Sequence, residues 1–330
     1  MPRLLIYGPS HGRIAAALAA RGPGLETATM DAEGRLTIAG VQVAAEDAGI
    51  DIAWLNAEVF ESPAARAFMT TALKSPNLEW IHSAGAGFDH PVFKALVGKG
   101  ARLTTSHGQA IGMAEYVLAG VLDHLQRGPE RRAAQAEGVW RRLPFREVMG
   151  SSWLVIGFGA IGQAVAQRAR SFGASIVGVR RDQAPHPLAD RIDSIRDVSE
   201  LLPAADVVVL CAPLNADTRH LADAGFFAAM REGSVLVNVG RGALVDEAAL
   251  LDALDLGTPQ HAVLDVFETE PLPVENRLWT HPRVAINAHA SGIGSGNAAR
   301  NQALFLENLA LYLAGKPLIG EIYPADVLGS

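Results

Sequence analysis

Three side chains stand where apolar strands run out, and their types suit proton transfer and anion binding. Residues 234–240, SVLVNVG, lead into Arg241; residues 261–267, HAVLDVF, lead towards Glu270; residues 284–289, VAINAH, end in His289. Functional groups of open parallel sheets collect at the carboxyl ends of strands, so the three ends are read together. An imidazole titrates near neutral pH and can give or take a proton. A guanidinium offers a planar fork to a carboxylate. Glu268 stands close to Glu270 and offers a second carboxylate in the same stretch.

A second constellation is VIGFGAIG, residues 155–162, where an apolar strand runs into Gly157, Gly159 and Gly162. One glycine permits the tight turn, the next lets backbone approach a pyrophosphate, and the third lets helix pack on strand. Phosphate then sits at the helix N-terminus. Residues 163–171 read as that helix, with Ala164, Val165 and Ala169 inward and Gly173 ending it. The next strand, SIVGV at 175–179, ends in Arg180 and Arg181, where an acid on the adenosine ribose is usual. Two guanidinium groups favour a 2′-phosphate, which predicts NADP(H) over NAD(H), with NAD(H) still usable. The alternative is a pair of solvated charges at a strand end.

The elements that must position these groups follow from composition and pattern. The chain has 330 residues, 49% hydrophobic and 19% charged, which suits two domains with ample cores. A formal net charge of −7 excludes a general basic field for nucleic acid. Cys211 is the only cysteine, so no intrachain disulfide forms; with no long apolar run and no secretory leader pattern, a cytoplasmic, membrane-free protein is expected. Strands are predicted at 4–7, 51–55 and 78–83, helices at 12–20 and 63–73, and a hairpin at 37–43. Residues 110–126 read as a helix apolar on most faces, to be buried in the core or against another subunit. Residues 128–150 read as a loop with a helical stretch; the apolar strands beyond them fit a parallel sheet covered on both faces.

Several further motifs match in order: SAGAGFDH at 83–90, CAPLNADTRHL at 211–221, NVGRGALVDEAAL at 238–250, LDVFETEPLP at 264–273 and HASG at 289–292. With them the chain resembles the D-isomer-specific 2-hydroxyacid dehydrogenases, closest in character to NADPH-dependent glyoxylate/hydroxypyruvate reductases. The resemblance is weak before Ser83 and strong after it. It implies an α/β fold in which a Rossmann-type doubly wound domain, 104–290, is inserted into a smaller flavodoxin-like substrate domain, 1–103 and 291–330. It also implies that His289 is the proton donor in reduction, that Glu270, immediately before Pro271, hydrogen-bonds the far ring nitrogen, and that Arg241 binds the substrate carboxylate and polarises its carbonyl.

Other roles are implied in the same way. Backbone N–H groups of Ala86 and Gly87 would bind the substrate carboxylate; the alternative is an ordinary tight turn. Phe158, Ala160 and Ile161 would line the dinucleotide with the three glycines, as would Cys211, Ala212 and Pro213, Val239 and Gly240, and Gly292. Thr218 would contact phosphate or backbone. Asp265 would accept from the nicotinamide carboxamide, or else cap the next segment. Cys211 reads as a small buried residue; Trp54, Trp140 and Trp279 read as core, the alternative being that they line the pocket or cover an apolar patch; and no metal is expected. The implied activity is reduction of a small 2-oxo acid by a homodimer, giving the D-2-hydroxy acid. Alternatives are a dinucleotide-sensing co-repressor of the same fold and a phosphite-type dehydrogenase; a formate dehydrogenase is disfavoured because that relative carries glutamine where Glu270 stands. The residues RRLPFREVMGSSWLV, 141–155, depart from the family's glycine-lysine-threonine entry to its first nucleotide-binding strand.

Overall fold

Strands that are apolar on consecutive residues must be covered on both faces, and the chain builds two sheets around such strands. A computed structural model describes residues 1–329. The fold separates into two units, residues 1–109 with 295 onward, and residues 110–294 between them; the sequence reading had put the junctions at 103/104 and 290/291.

The first unit holds strands β1 (Arg3–Tyr7), β2 (Glu26–Met30), β3 (Leu36–Ile38), β4 (Val41–Val43), β5 (Ile52–Leu55), β6 (Trp80–Ser83) and β7 (Arg102–Thr105). Their order is β4-β3-β2-β1-β5-β6-β7, and only β3 runs antiparallel to its neighbours, β2 and β4. Without the hairpin, that is the 2-1-3-4-5 order of flavodoxin-like folds. Leu5, Ala53, Leu55, Ile81 and Leu103 point to one core and Leu4, Ile6, Ile52, Trp54 and Trp80 to the other, as a period of two requires. Phe305 of the helix Asn297–Leu313 stacks on Trp54 at 4.4 Å, which ties the end of the chain to its first domain.

The second unit holds β8 (Ser152–Ile156), β9 (Ser175–Val179), β10 (Arg191–Asp193), β11 (Val207–Leu210), β12 (Val235–Asn238), β13 (His261–Leu264) and β14 (Val284–Ile286), all parallel. Their order, β10-β9-β8-β11-β12-β13-β14, is the doubly wound Rossmann order with one strand added. Leu154, Ile156, Val208, Leu210 and Leu236 face the helix Glu247–Leu256; Trp153, Val155, Val207, Val209 and Val237 face the helices Ala110–Leu125 and Ala160–Ser171.

The elements differ from the sequence expectations at several points, and add detail at others. The strands β2 and β7 were not anticipated, because ETATM and RLTT are short and half polar. The helix expected at 63–73 is two, Ala57–Glu61 and Ala65–Lys74, since Ser62 leads into Pro63 in extended backbone. Within the protomer, the helix Ala110–Leu125 buries Met113, Ala114, Val117 and Val121 but leaves Ile111, Glu115 and Ala119 exposed. Trp54 is core, whereas Trp140 is 95% exposed and Trp279 half exposed, so neither is a packing residue. Among the described residues no helix is long and apolar enough to cross a membrane.

Two buried histidines make the fold acid-sensitive. Burial pushes His82 from 6.5 down to about 3, with its Nδ1 held 2.7 Å from Thr104 Oγ1. Burial, with the neighbouring His124 stacked at 4.4 Å, pushes His261 down to about 4. The unfolded chain takes up these protons below about pH 6.5 while the folded one refuses them. Stability is therefore complete above that pH and falls as pH drops towards 4, by on the order of 3 kcal/mol for each histidine. Urea denaturation at a series of pH values should show that slope in the wild type and a shallower one in His82→Gln; parallel slopes would contradict it.

Candidate active site

The glycine turn is set by contacts that no larger residue tolerates. Gly157 has φ +102°, and a Cβ there would stand 2.4 Å from the Ala212 nitrogen; a Cβ on Gly162 would stand 2.5 Å from the Gly157 carbonyl oxygen. A Cβ on Gly159 would meet nothing within 4 Å. The first and third glycines therefore pack the turn, and the second leaves open space over the N-terminus of the helix Ala160–Ser171, which no side chain caps. An anion could be held there by N–H groups and the helix dipole. At the end of β9, Arg180 is half buried, its Nε donating to the Asp182 carbonyl at 2.5 Å and its Nη2 to the Ala184 carbonyl at 2.7 Å. Arg181 beside it is exposed.

Adjacent strands β12, β13 and β14 deliver the other three residues to one edge of the sheet. Asn238 ends β12 and folds the following loop: its Nδ2 donates to the Arg241 carbonyl at 2.9 Å, and its Oδ1 accepts from Gly240 N–H at 3.1 Å. That loop presses on the next. A Cβ on Gly242 would fall 1.9 Å from the Phe267 carbonyl, so Arg241 is carried against the segment that bears Glu270.

Asp265, the first residue past β13, is 1% exposed and holds the loop after β14. Its Oδ1 accepts from Asn287 Nδ2 at 2.7 Å, Ala290 N–H at 2.9 Å and Ser291 N–H at 3.0 Å, and its Oδ2 accepts from the Ser291 hydroxyl. His289 lies inside this clasp with φ +50°, a left-handed conformation that costs a non-glycine residue about 1–3 kcal/mol. Its N–H donates to the Asp265 carbonyl at 2.8 Å. Held so, the His289 ring places Nδ1 2.8 Å from Glu270 Oε2, while Glu270 Oε1 accepts from Phe267 N–H at 3.0 Å. The imidazole is about half exposed, so its other nitrogen is reachable. A carboxylate-oriented imidazole of this kind can deliver a proton in a defined direction.

A family profile described as "D-isomer specific 2-hydroxyacid dehydrogenase, NAD binding domain" matches residues 118–291. The glyoxylate/hydroxypyruvate reductase B of Citrobacter koseri is 33% identical over 256 residues, 74% of this chain and 77% of that protein. The chain belongs to the D-isomer-specific 2-hydroxyacid dehydrogenase family. The D-3-phosphoglycerate dehydrogenase of Methanocaldococcus jannaschii is 35% identical over 221 residues, 66% of this chain and 42% of that protein. The chain spans about half the length of the phosphoglycerate dehydrogenases it matches. A solved NADPH-dependent glyoxylate/hydroxypyruvate reductase from Sinorhizobium meliloti, in complex with NADP and sulfate, superposes with a TM-score of 0.77 at 26% identity, covering 100% of this chain and 99% of that one.

The structure places the other expected contact residues as follows. The side chains of Phe158 and Val239 are buried in the core, so only their backbone can meet a ligand. Gly240 is buried as well, and Ala160, Ile161 and Gly292 are half exposed. Thr218 is spent within its own loop: Oγ1 donates to the Pro213 carbonyl at 2.8 Å and accepts from Asn215 N–H at 2.8 Å. The Asp265 carboxylate clasps the His289 loop. Cys211 Sγ donates to the Gly157 carbonyl at 3.1 Å, and burial pushes the thiol up to about 12, which makes it a packing group. Ala212 is buried and Pro213 exposed at the same strand end. Ala86 and Gly87 lie in the first unit, half exposed after β6, on a loop pinned by Gly85 N–H to Ser83 Oγ at 3.2 Å and by Ser106 N–H to the Gly85 carbonyl at 3.2 Å.

Sequence reading missed Asn238, Asn287 and Ser291. For Asn238 and Asn287 the signal was present, since each is a polar residue at the end of an apolar strand, where it must find a partner. Among the described residues no group of His, Cys, Asp or Glu is arranged to hold a metal ion. Removing the buried clasp should be costly. Asp265→Ala is expected to lose about 3 kcal/mol of stability in urea denaturation; a stability within about 0.5 kcal/mol of wild type would contradict the clasp.

Proposed function

We propose that this chain reduces a small 2-oxo acid, glyoxylate or hydroxypyruvate, to the D-2-hydroxy acid with NADPH. The observation that carries the reading is the 2.8 Å contact between His289 Nδ1 and Glu270 Oε2, at the carboxyl edge of a Rossmann sheet and beside the loop of Arg241. The open space over Gly159 fits a dinucleotide pyrophosphate, and Arg180 with Arg181 fits the 2′-phosphate of NADP. NADP in the Sinorhizobium structure, and the NADPH dependence of that protein, support the same choice of cofactor.

When bound, the reduced nicotinamide supplies the hydride that reaches the carbonyl carbon. The chain's own residues do the rest. Arg241 pairs with the substrate carboxylate and draws charge from the carbonyl oxygen. Glu270 fixes the imidazole through Nδ1, so His289 Nε2 gives its proton to that oxygen in reduction and takes it back in oxidation. Residues 110–294 are the nucleotide-binding domain and the other unit is the substrate domain, in which the Ala86 and Gly87 N–H groups of the loop after β6 are anion donors. The active species is a homodimer. Ile111 and Ala119 on the outward side of their helix, with Val139, Trp140, Phe145 and Met149, form exposed apolar surface of the kind a second copy would cover.

Three measurements follow. Catalytic efficiency with NADPH should exceed that with NADH by about tenfold or more, and Arg181→Asp should erase the difference; a wild-type preference for NADH would contradict the cofactor assignment. His289→Ala and Arg241→Ala should each lower turnover roughly a thousandfold while NADPH still quenches tryptophan fluorescence at wild-type concentration. Light scattering should give twice the protomer mass, and a monomer would refute the dimer.

A further inference from the structure

A second imidazole–carboxylate pair stands in the loops that carry the first. His220 Nε2 lies 2.5 Å from Glu268 Oε1. Glu268 is held at its other end too: its N–H donates to Glu247 Oε1 at 2.7 Å, and Glu247 Oε2 accepts from Asn276 Nδ2 at 3.2 Å. His220 closes the loop that begins at Cys211; it has φ +49°, a left-handed conformation a histidine keeps only when something holds it. Its N–H donates to the Ala243 carbonyl at 2.8 Å.

These contacts close a ring. From the His220 backbone it passes to Ala243, then to Gly242 lodged against the Phe267 carbonyl, then to Glu268, and back through the carboxylate to the His220 imidazole. Arg241 adjoins Gly242 on this ring. Glu270 is joined to it by the bond from Phe267 N–H to Oε1. The ring therefore sets the separation between the Arg241 loop and the Glu270 carboxylate that orients His289.

Resting on the reductase reading above, we propose that His220 and Glu268 are positioning residues for the reaction: their pair locks the loop of Arg241 to the segment of Glu270. The pair works by donation from Nε2–H to a carboxylate, so a glutamine amide at position 220 can take over the donor. Both side chains are partly exposed, 44% and 34%, so the pair adds little to global stability. Its loss is felt in geometry, where a small displacement of a catalytic group costs up to about a hundredfold in rate.

The test compares wild type with His220→Ala, Glu268→Ala, the double variant and His220→Gln, using NADPH oxidation by glyoxylate and by hydroxypyruvate, NADPH affinity by fluorescence, and thermal midpoints. His289→Ala serves as the inactive control. Both alanine variants should lower kcat by about tenfold or more, with KM, NADPH affinity and midpoint near wild type. The double variant should lose no more than either single one, because both cut the same bond. His220→Gln should restore most of the rate. Wild-type kcat in the alanine variants, a loss that follows the thermal midpoint, additive losses, or no recovery with glutamine would each overturn the positioning role. A wild-type protein that turns over none of the 2-oxo acids, while still binding NADPH, would instead overturn the reductase reading and the positioning role with it.

Discussion

A carboxylate removed from water must be met by donors, and Asp265 is met by four of them, all from the segment 287–291. Without them its burial would cost several kcal/mol. With them, the same bonds fix a loop whose central residue is forced into left-handed backbone. His289 is thus presented by the protein before any ligand arrives. The rest of the site depends on this constraint, because Glu270 can orient only a ring that is already close.

The parallel sheet supplies the second requirement, which is proximity without strain in the strands themselves. Neighbouring strands β12, β13 and β14 end on the same side, so residues far apart in sequence meet through loops of a few residues. Glycines then decide how close those loops come. Gly242 admits the Phe267 carbonyl and Gly157 admits the end of β11, each at a distance that a Cβ would forbid. Pre-set geometry of this kind is what proton transfer and charge stabilisation need, since neither tolerates reorganisation during the reaction.

Much of this was legible in the chain because it is local. The glycine turn, the strand ends bearing Arg241 and His289, and the 36–43 hairpin are each written in a few consecutive residues, and the structure draws the three strand ends to one edge. What could not be read depends on partners distant in sequence. The Asp265 clasp joins residues more than twenty positions apart, and nothing in LDVF says whether its carboxylate turns to a ligand or to a loop. Phe158 and Val239 sit inside motifs expected to meet a dinucleotide, yet their side chains are buried in the core. Trp140 looked like core by its type; it follows a helix of mostly polar residues, in a segment with no regular structure to bury it.

The most direct test of the account is a crystal structure of the protein with NADP and a non-reducible 2-oxo acid analogue such as oxamate. The account predicts the analogue's carboxylate on the Arg241 guanidinium and its carbonyl oxygen within hydrogen-bond reach of His289 Nε2, with the Asp265 clasp unchanged. An analogue bound elsewhere, or a His289 ring turned away from both Glu270 and the ligand, would contradict it.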